Sequence, residues 1–295
     1  MMPHQLNWQE ICQMIPKRKA DAQKGDFGRL LCITGSRNMP GACLLSTQAA
    51  LRGGAGLVTV ATAPENPMRL AAAAPEAMWL PLETDEAGFL RSSDQNRKTL
   101  EKQLSRADAV LLGCGLGVTE ETRRLVHWVL EQATCPVVLD ADGLNCAVSC
   151  IELSRRTGKD WILTPHPGEM ARLTGHSIPQ IQENRVETAT QFAAAYPVTL
   201  ALKGAGTLVA QGSRLAQNPT GNPGMSRGGS GDVLAGLIAA FAAQGIPSWE
   251  AACAGVYLHG LAGDAAAAAL SQQAMLPRDL LVYLPQVLVK LEQER

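Results

Sequence analysis

Short apolar segments alternate with longer stretches of good helix formers along most of this 295-residue chain. The first occurrence of the pattern predicts a buried strand at 29–34, a helix at 41–52 and a strand at 57–61. A helix that joins two strands of one sheet crosses over with a right-handed turn, and the strands are then parallel. These residues therefore predict a βαβ unit.

The alternation continues beyond this unit, and the final third is mostly helical. Further strands are predicted at 109–112, 136–140, 161–164, 198–202, 207–210 and 214–216, and further helices at 120–132, after Pro167 and at 233–244. This order is typical of an α/β protein with one doubly wound, mostly parallel sheet covered by helices on both faces. Since no linker or repeat divides the sequence, we predict a short helix and connector over 1–24 and a single domain over 25–295.

Composition supports a globular protein and excludes several function classes. Hydrophobic residues make up 46% of the chain and charged residues 18%, which allows a sizeable core. The net charge of −1 gives no electrostatic footprint for nucleic acid. The apolar stretches are too short to span a bilayer, and no signal peptide is expected from the N-terminal residues. We therefore expect a cytoplasmic protein with neither nucleic-acid nor membrane partners.

The eight cysteines include no Cys-x-x-Cys pair. Most lie in apolar segments, and we interpret them as small buried hydrophobes in a reducing compartment: Cys32, Cys43, Cys135 and Cys253. No spacing of cysteine and histidine is typical of a metal cage, so no metal-ligating residue is predicted.

The segment Asn222-Pro-Gly-Met-Ser-Arg-Gly-Gly-Ser-Gly-Asp232 leads directly into the predicted helix at 233–244. A glycine-rich loop before a helix N-terminus collects unpaired N–H groups at the positive end of the helix dipole, which suits a phosphate. Asp232 stands at this junction, where its carboxylate could take a proton from an attacking hydroxyl. It could also cap the helix, and the two roles are compatible. The loop therefore indicates phosphoryl transfer.

Other polar motifs follow the predicted strands at the edge where α/β proteins bind ligands. Gly113-Cys-Gly-Leu-Gly117 could cradle a phosphate or form a plain turn, and the residues favour neither. Lys203-Gly-Ala-Gly-Thr207 suits nucleotide phosphates or ribose, although alone it would be interpreted as a hairpin turn. It does not have the order of a Walker A loop.

Two further strand ends carry titratable groups. His166 is held between two prolines in Thr164-Pro-His-Pro-Gly-Glu169, and this rigid placement favours a binding role over a structural one. We interpret the other histidines as structural or surface residues: His4, His127, His176 and His259. In Asp140-Ala-Asp-Gly-Leu-Asn145, we interpret at least one carboxylate as a helix cap, the alternative being orientation of Mg²⁺ through water.

Together these motifs resemble the ADP/ATP-dependent NAD(P)H-hydrate dehydratases, a branch of the ribokinase-like superfamily. The resemblance extends from Gly25-Asp-Phe-Gly28 to the helix after Asp232, and its specificity lies in the order of the motifs. The matching segments, besides those above, are Gly35, Pro40-Gly-Ala42, and Ala49 to Val58. The family implies a three-layer α/β/α sandwich with a mostly parallel central sheet.

The resemblance also implies an activity and its residues. The reaction would convert the (6S) hydrate of NADH or NADPH (NADHX, NADPHX) back to the coenzyme, with ADP or ATP as phosphoryl donor and Mg²⁺ as cofactor. Binding of the hydrate would involve Ala42, Gly115, Gly117, His166 and Asp232, with Asp232 as the catalytic base. Nucleotide binding would involve Lys203, Gly204, Ala205, Gly206, Thr207 and Gly231. A homotetramer and a functional pairing with an NAD(P)HX epimerase are also implied.

One departure from the family pattern and two alternatives stay open. Ser226-Arg227 stands where the family usually has a small pair, and Arg227 could contact phosphate or point to solvent. No epimerase domain is expected in this sequence. The rival hypotheses are an ATP-dependent sugar or vitamin-precursor kinase of the same fold and a non-catalytic nucleotide-binding regulator. His166-Pro-Gly-Glu169 favours the dehydratase over the kinase, and the intact Asp232 argues against the regulator.

Overall fold

The computed structural model describes residues 2–152, 154–155 and 160–294. Within them, ten strands form one sheet. In chain order these are β1 (His4–Gln5), β2 (Arg29–Ile33), β3 (Leu57–Thr62), β4 (Met78–Pro81), β5 (Ala109–Leu112), β6 (Val137–Leu139), β7 (Trp161–Leu163), β8 (Val198–Leu202), β9 (Leu208–Gln211) and β10 (Arg214–Gln217).

Helices occupy most of the connections between these strands. The α-helices that lie wholly within the described residues are α1 (Trp8–Met14), α2 (Pro40–Arg52), α3 (Asn66–Leu70), α4 (Asp94–Leu104), α5 (Glu120–Gln132), α6 (Asp142–Ala147), α7 (Pro167–Thr174), α8 (Ile178–Glu183), α9 (Arg185–Ala195), α10 (Ser230–Ala243), α11 (Ser248–Leu270) and α12 (Pro277–Glu294). None of the helices in the described ranges is long and apolar enough to cross a membrane.

The strand order is β1-β10-β9-β8-β7-β6-β5-β2-β3-β4. The seven strands from β8 to β4 in this order pair in parallel, whereas β9 runs antiparallel to both of its neighbours. Parallel strands of one sheet end at a common edge, so the loops after β5, β6, β7 and β8 lie side by side. This edge carries the candidate site.

Two apolar cores cover the two faces of the sheet. Along β2, Leu30 and Cys32 pack into one core, while Leu31 and Ile33 pack into the other, as the two-residue period of a strand requires. Helices α1, α2, α10, α11 and α12 contribute to the first core, and α4 to α9 contribute to the second. The mostly parallel α/β/α sandwich expected from the sequence is thus confirmed.

The predicted strands and helices lie within two or three residues of the observed ones, but β1, β4, α3, α4, α8 and α9 were not predicted. β1 adds to the sheet edge by pairing with β10. The cysteine interpretation holds for Cys32, Cys43 and Cys253, which are buried, whereas Cys135 is only partly buried. Cys135 lies in the short connection before β6, where an apolar neighbourhood in sequence does not require full burial.

Helices α2 and α10 pack at very short distance at Gly236. A Cβ added there would lie 2.2 Å from the carbonyl oxygen of Ser46. Alanine normally stabilises a helix by about 1 kcal/mol relative to glycine. We expect Gly236→Ala to lower the free energy of unfolding by about 2 kcal/mol instead, because the two helices must separate.

Denaturant unfolding of the variant beside Gly41→Ala checks this expectation. Gly41 also lies in a helix, but a Cβ there meets nothing within 4 Å. Equal stability of the two variants would contradict the close approach of α2 and α10.

Candidate active site

Four residues that follow neighbouring parallel strands meet at one edge of the sheet. Lys203 follows β8, His166 follows β7, Asp140 follows β6 and Cys114 follows β5. The sequence places these residues far apart, and the strand order β8-β7-β6-β5 brings them together. The edge therefore combines a cation, an imidazole, a carboxylate and a thiol.

Lys203 and Asp140 form an ion pair at the centre of this group. The Lys203 Nζ lies 2.6 Å from Asp140 Oδ1 and 3.7 Å from Glu169 Oε2. Burial acts to lower the pKa of Lys203, but the charges of Asp140 and Glu169 outweigh it and raise that pKa above its usual value. The ammonium is therefore charged at neutral pH and fixed by two carboxylates.

Neither carboxylate of Asp140-Ala-Asp142 caps a helix, so that interpretation was wrong. The N-cap of α6 is Ala141, and it makes no side-chain cap hydrogen bond. Asp140 instead accepts a hydrogen bond from Thr164 Oγ1 at 2.7 Å, in addition to its ion pair. Asp142 accepts one from the Gly117 N–H at 2.8 Å. Both carboxylates bind partners from distant loops, which local sequence does not indicate.

His166 and Glu169 form a capping box at the start of α7. Glu169 Oε2 accepts a hydrogen bond from the His166 backbone N–H at 2.8 Å, and His166 Nδ1 accepts one from the Gly168 N–H at 3.0 Å. Nδ1 is thus unprotonated, and Nε2 carries the proton at 3.2 Å from Glu169 Oε1. The side chain of His166 is 52% exposed, whereas that of Glu169 is 5% exposed. The imidazole is fixed in one orientation with its ring open to solvent.

Glu169 connects this loop to the ion pair. Burial acts to raise the pKa of Glu169, but the hydrogen bond from His166 and the charge of Lys203 hold that pKa below its ordinary value. A single ionised carboxylate therefore links His166 to Lys203.

The first turn of α10 carries Asp232 into the same group. The N-cap is Gly229 in a left-handed conformation, and Asp232 is the third residue of the helix rather than its cap. The lack of a side chain at Gly231 leaves room for the Lys203 ammonium, since a Cβ on this residue would crowd Lys203 Nζ at 3.3 Å. The glycine loop thus places the N-terminus of α10 directly beside the ion pair.

Asp232 has an unusual electrostatic environment. Burial, together with the negative charge of Asp140, raises the pKa of Asp232 to about 7. Ligand atoms of Cys114, Asp140 and Asp232 all lie within 4.8 Å of one another, and the thiol is 3.8 Å from Asp140 Oδ2. Burial keeps the pKa of the Cys114 thiol well above its usual value, so the thiol stays protonated. A carboxyl with a pKa near 7 is well matched to proton transfer at neutral pH.

A cavity of about 670 Å³ opens in front of this group. Its walls include most of the residues predicted from the sequence: His166, Lys203, Gly204, Ala205, Gly206, Thr207, Gly231 and Asp232. Asp140 also reaches it. A volume of this size is typical of small-molecule sites.

The remaining predicted residues lie outside that cavity wall. Ala42 and Gly115 are in contact, since a Cβ on Gly115 would lie 2.9 Å from that of Ala42. A Cβ on Gly117 would lie 2.2 Å from the Phe89 ring. Gly115 is the neighbour in sequence of Cys114, whose thiol lies near Asp140 and Asp232. The Ala42–Gly115 contact is therefore one residue along the chain from a thiol whose neighbours Asp140 and Asp232 line the cavity.

Arg227 is exposed, and its Nη2 donates a hydrogen bond to the carbonyl oxygen of Gln273. The guanidinium is thus bound to the segment that follows α11, although Arg227 also belongs to the cavity wall. The residue that departs from the family pattern thus has a partner within the chain.

Sequence reasoning missed His259 as a site residue. His259 is buried in α11, lines the cavity, and its Nε2 lies 3.0 Å from the carbonyl oxygen of Ser230. Burial lowers its pKa to about 4, so the ring is neutral and Nε2–H donates to that carbonyl. The one feature of the sequence that could have indicated His259 is its place as a lone histidine in a long apolar helix.

The loop over 218–222 is a second feature without a sequence prediction. Asn218 donates to the carbonyl oxygen of Val256, and Asp264 accepts from the Gly221 N–H and from Asn222. These bonds fix one wall of the cavity onto α11.

Comparison with known proteins assigns the family. The sequence model of the NAD(P)H-hydrate dehydratase family matches residues 30–286. This chain belongs to that family. The ADP-dependent (S)-NAD(P)H-hydrate dehydratase of Xanthomonas campestris is 36% identical over 91% of this chain and 90% of its own length.

The same family includes longer proteins and solved structures. The bifunctional NAD(P)H-hydrate repair enzyme Nnr of Moorella thermoacetica is 43% identical over 95% of this chain but only 53% of its own length. The chain thus spans about half the length of the bifunctional relatives it matches. The structure of the Bacillus subtilis ADP/ATP-dependent NAD(P)H-hydrate dehydratase, co-crystallised with ATP and Mg²⁺, has a TM-score of 0.82 at 31% identity and covers 98% of this chain and 99% of its own.

Proposed function

We propose that this protein catalyses the ADP-dependent dehydration of the (6S) hydrate of NADH or NADPH, which repairs the coenzyme and releases AMP and phosphate. The observation that carries the proposal is Asp232: it lies in the first turn of α10, lines the cavity, and has its pKa raised to about 7 by burial and by Asp140. Family membership supplies the substrate class.

The roles proposed for individual residues fall into two sets. The nucleotide would be held by Lys203, Gly204, Ala205, Gly206, Thr207 and Gly231, which line the cavity. The hydrate would be held by Ala42, Gly115, Gly117, His166 and Asp232, of which His166 and Asp232 also line the cavity. The fixed orientation of His166 supports this assignment, since a ring with both nitrogens bonded in its own loop offers its open face to a ligand.

The chemistry replaces a poor leaving group by a good one. Asp232 accepts the proton of the hydrate hydroxyl, whose oxygen attacks the terminal phosphorus of ADP, and the bond between that phosphorus and AMP breaks. The carbon–oxygen bond of the phosphorylated hydrate then breaks, phosphate leaves, and loss of a ring proton restores the double bond. Lys203 and the N–H groups at the start of α10 would stabilise the phosphate charge.

Mg²⁺ is proposed as a cofactor that arrives with the nucleotide. Three possible metal ligands lie close together at the site. The carboxylate oxygens of Asp140 and Asp232 suit Mg²⁺, whereas the Cys114 thiol does not. Because Lys203 already neutralises Asp140, the side chains form an incomplete cage, and the two carboxylates would hold the ion together with phosphate oxygens and water. When bound, Mg²⁺ would neutralise charge on the transferred phosphate.

Several wider features belong to the same proposal. We place the protein in the cytoplasm as a homotetramer that works with an NAD(P)HX epimerase, with residues 1–24 as a connector to the domain over 25–295. The bifunctional Nnr relatives support the pairing, because they are named as repair enzymes with two activities.

One assay tests the activity. The protein is incubated with Mg²⁺, ADP and the purified (6S) hydrate of NADH, and the near-ultraviolet absorbance of the reduced nicotinamide ring is followed. We expect the absorbance to recover with ADP and stoichiometric AMP to form. Parallel reactions with ATP and with the NADPH hydrate establish the preferred substrates. Absence of recovery with either nucleotide would refute the proposal, and phosphorylation of a sugar or vitamin alcohol instead would favour the kinase alternative.

A further inference from the structure

Arg185, the first residue of α9, lies directly against the Lys203–Thr207 loop. Its Nη1 donates a hydrogen bond to the carbonyl oxygen of Ala205 at 2.5 Å, and its Nη2 donates one to the carbonyl oxygen of Leu202 at 3.1 Å. The guanidinium also fills the space beside Gly204, where an added Cβ would lie 2.8 Å from Nη2. One planar side chain thus bridges the carbonyl just before the loop and a carbonyl within it.

These contacts determine which backbone groups of the loop are available. The carbonyls of Leu202 and Ala205 point to Arg185, and the Gly204 carbonyl accepts from Thr207 Oγ1 at 3.1 Å. Among the residues that the structure describes, the N–H groups of Gly204, Ala205 and Gly206 donate no backbone hydrogen bond. Unpaired N–H groups on a loop whose carbonyls face away form a concave anion-binding surface.

The environment of Arg185 is costly for a residue with only a structural role. No carboxylate of the described residues pairs with it, and burial lowers the pKa of its guanidinium below the ordinary value. Its Nε is buried without a hydrogen-bond partner in the described part of the chain. Buried donors without partners reduce stability, and they concentrate at functional sites.

We propose that Arg185 is a positioning residue for the nucleotide: it holds the Lys203–Thr207 loop with its carbonyls turned away from the cavity, so that the N–H groups of Gly204 to Gly206 can bind phosphate or ribose oxygens. The inference rests on the proposed nucleotide site. Arg185 acts through the loop and does not itself line the cavity.

Direct binding measurements test the proposal. ADP with Mg²⁺ is titrated calorimetrically into the wild-type protein and into Arg185→Met and Arg185→Lys. We expect Arg185→Met to weaken ADP binding by about tenfold and Arg185→Lys by less, because lysine keeps the charge but cannot bridge two carbonyls. The KM for ADP should rise by the same factor, while kcat and the KM for the hydrate stay within about twofold.

Arg155→Met is the matched control. Arg155 also donates to a backbone carbonyl, that of Ala195 at 2.8 Å, but it is exposed and does not contact the loop. The Arg155→Met variant should therefore bind ADP as tightly as the wild type. Unchanged ADP affinity in Arg185→Met, or equal weakening of ADP and hydrate together with a lower melting temperature, would overturn the proposal. A protein that binds ADP with this dependence on Arg185 but does not dehydrate the hydrate would refute only the proposed activity.

Discussion

Asp232→Asn is expected to reduce dehydratase turnover by about a thousandfold while changing ADP affinity by less than about threefold. The amide has the shape of the carboxyl, so the first turn of α10 and its N–H groups stay in place. It cannot accept the proton of the hydrate hydroxyl, and the transfer step loses its base.

Stopped-assay turnover and calorimetric ADP binding separate these two effects. Asp108→Asn serves as control, since its carboxylate bonds the Arg29 N–H in an exposed position that does not line the cavity. If Asp232→Asn retained more than a tenth of wild-type turnover, Asp232 would not be the base.

The raised pKa of Asp232 makes the same variant informative about stability. As a base Asp232 must be ionised, so kcat/KM should fall as the pH drops below about 7. In the unfolded chain this carboxyl ionises near 3.8, the ordinary value for aspartate, so the folded state binds the proton more tightly. The contribution of this proton to stability is complete below about pH 4 and is lost as the pH rises from there through about 7. Asp232→Asn should therefore stabilise the fold more at pH 8 than at pH 5, by on the order of 1 kcal/mol.

Strand ends were the part of the site that could be predicted from sequence. Apolar segments of strand length ended at Lys203, at Asp140 and in the loop of His166, and parallel pairing requires such ends to share an edge. Order along the chain did not reveal which side chains would bond. Asp140 has a favourable residue type for a helix cap, but the buried Lys203 ammonium is a stronger partner than a backbone N–H.

Features that depend on tertiary packing could not be predicted from the sequence. β1 is two residues long and exists because β10 presents a free edge to pair with, and no periodicity can appear over two residues. His259 was interpreted as a structural or surface residue. Its contact with the Ser230 carbonyl joins residues 29 positions apart, so the sequence around His259 does not indicate it. Asp232 was placed correctly at the helix mouth, yet its raised pKa depends on burial in the folded protein and on Asp140, which follows β6.

Lys203→Met should have a second large effect, on both stability and activity. It removes the cation that pairs with Asp140 at 2.6 Å and lies near Glu169, and it leaves two buried carboxylates with hydrogen-bond partners but without their cation. We expect a loss of about 3 kcal/mol in the free energy of unfolding and a fall of about a hundredfold in kcat/KM. The Lys203 charge also lowers the pKa of Asp232, so the acid limb of the pH profile should move to higher pH.

A double-mutant cycle with Asp140→Asn separates charge compensation from loss of packing. If the penalty of Lys203→Met arises from the unpaired carboxylate, then neutralising Asp140 as well should recover at least about half of the lost stability. It should also return the acid limb toward lower pH, since the negative charge of Asp140 raises the pKa of Asp232. Activity should stay low, because the phosphate would still lack its cation. Additive losses in unfolding free energy would show instead that Lys203 stabilises the site through packing, and that its ion pair with Asp140 does not control the base.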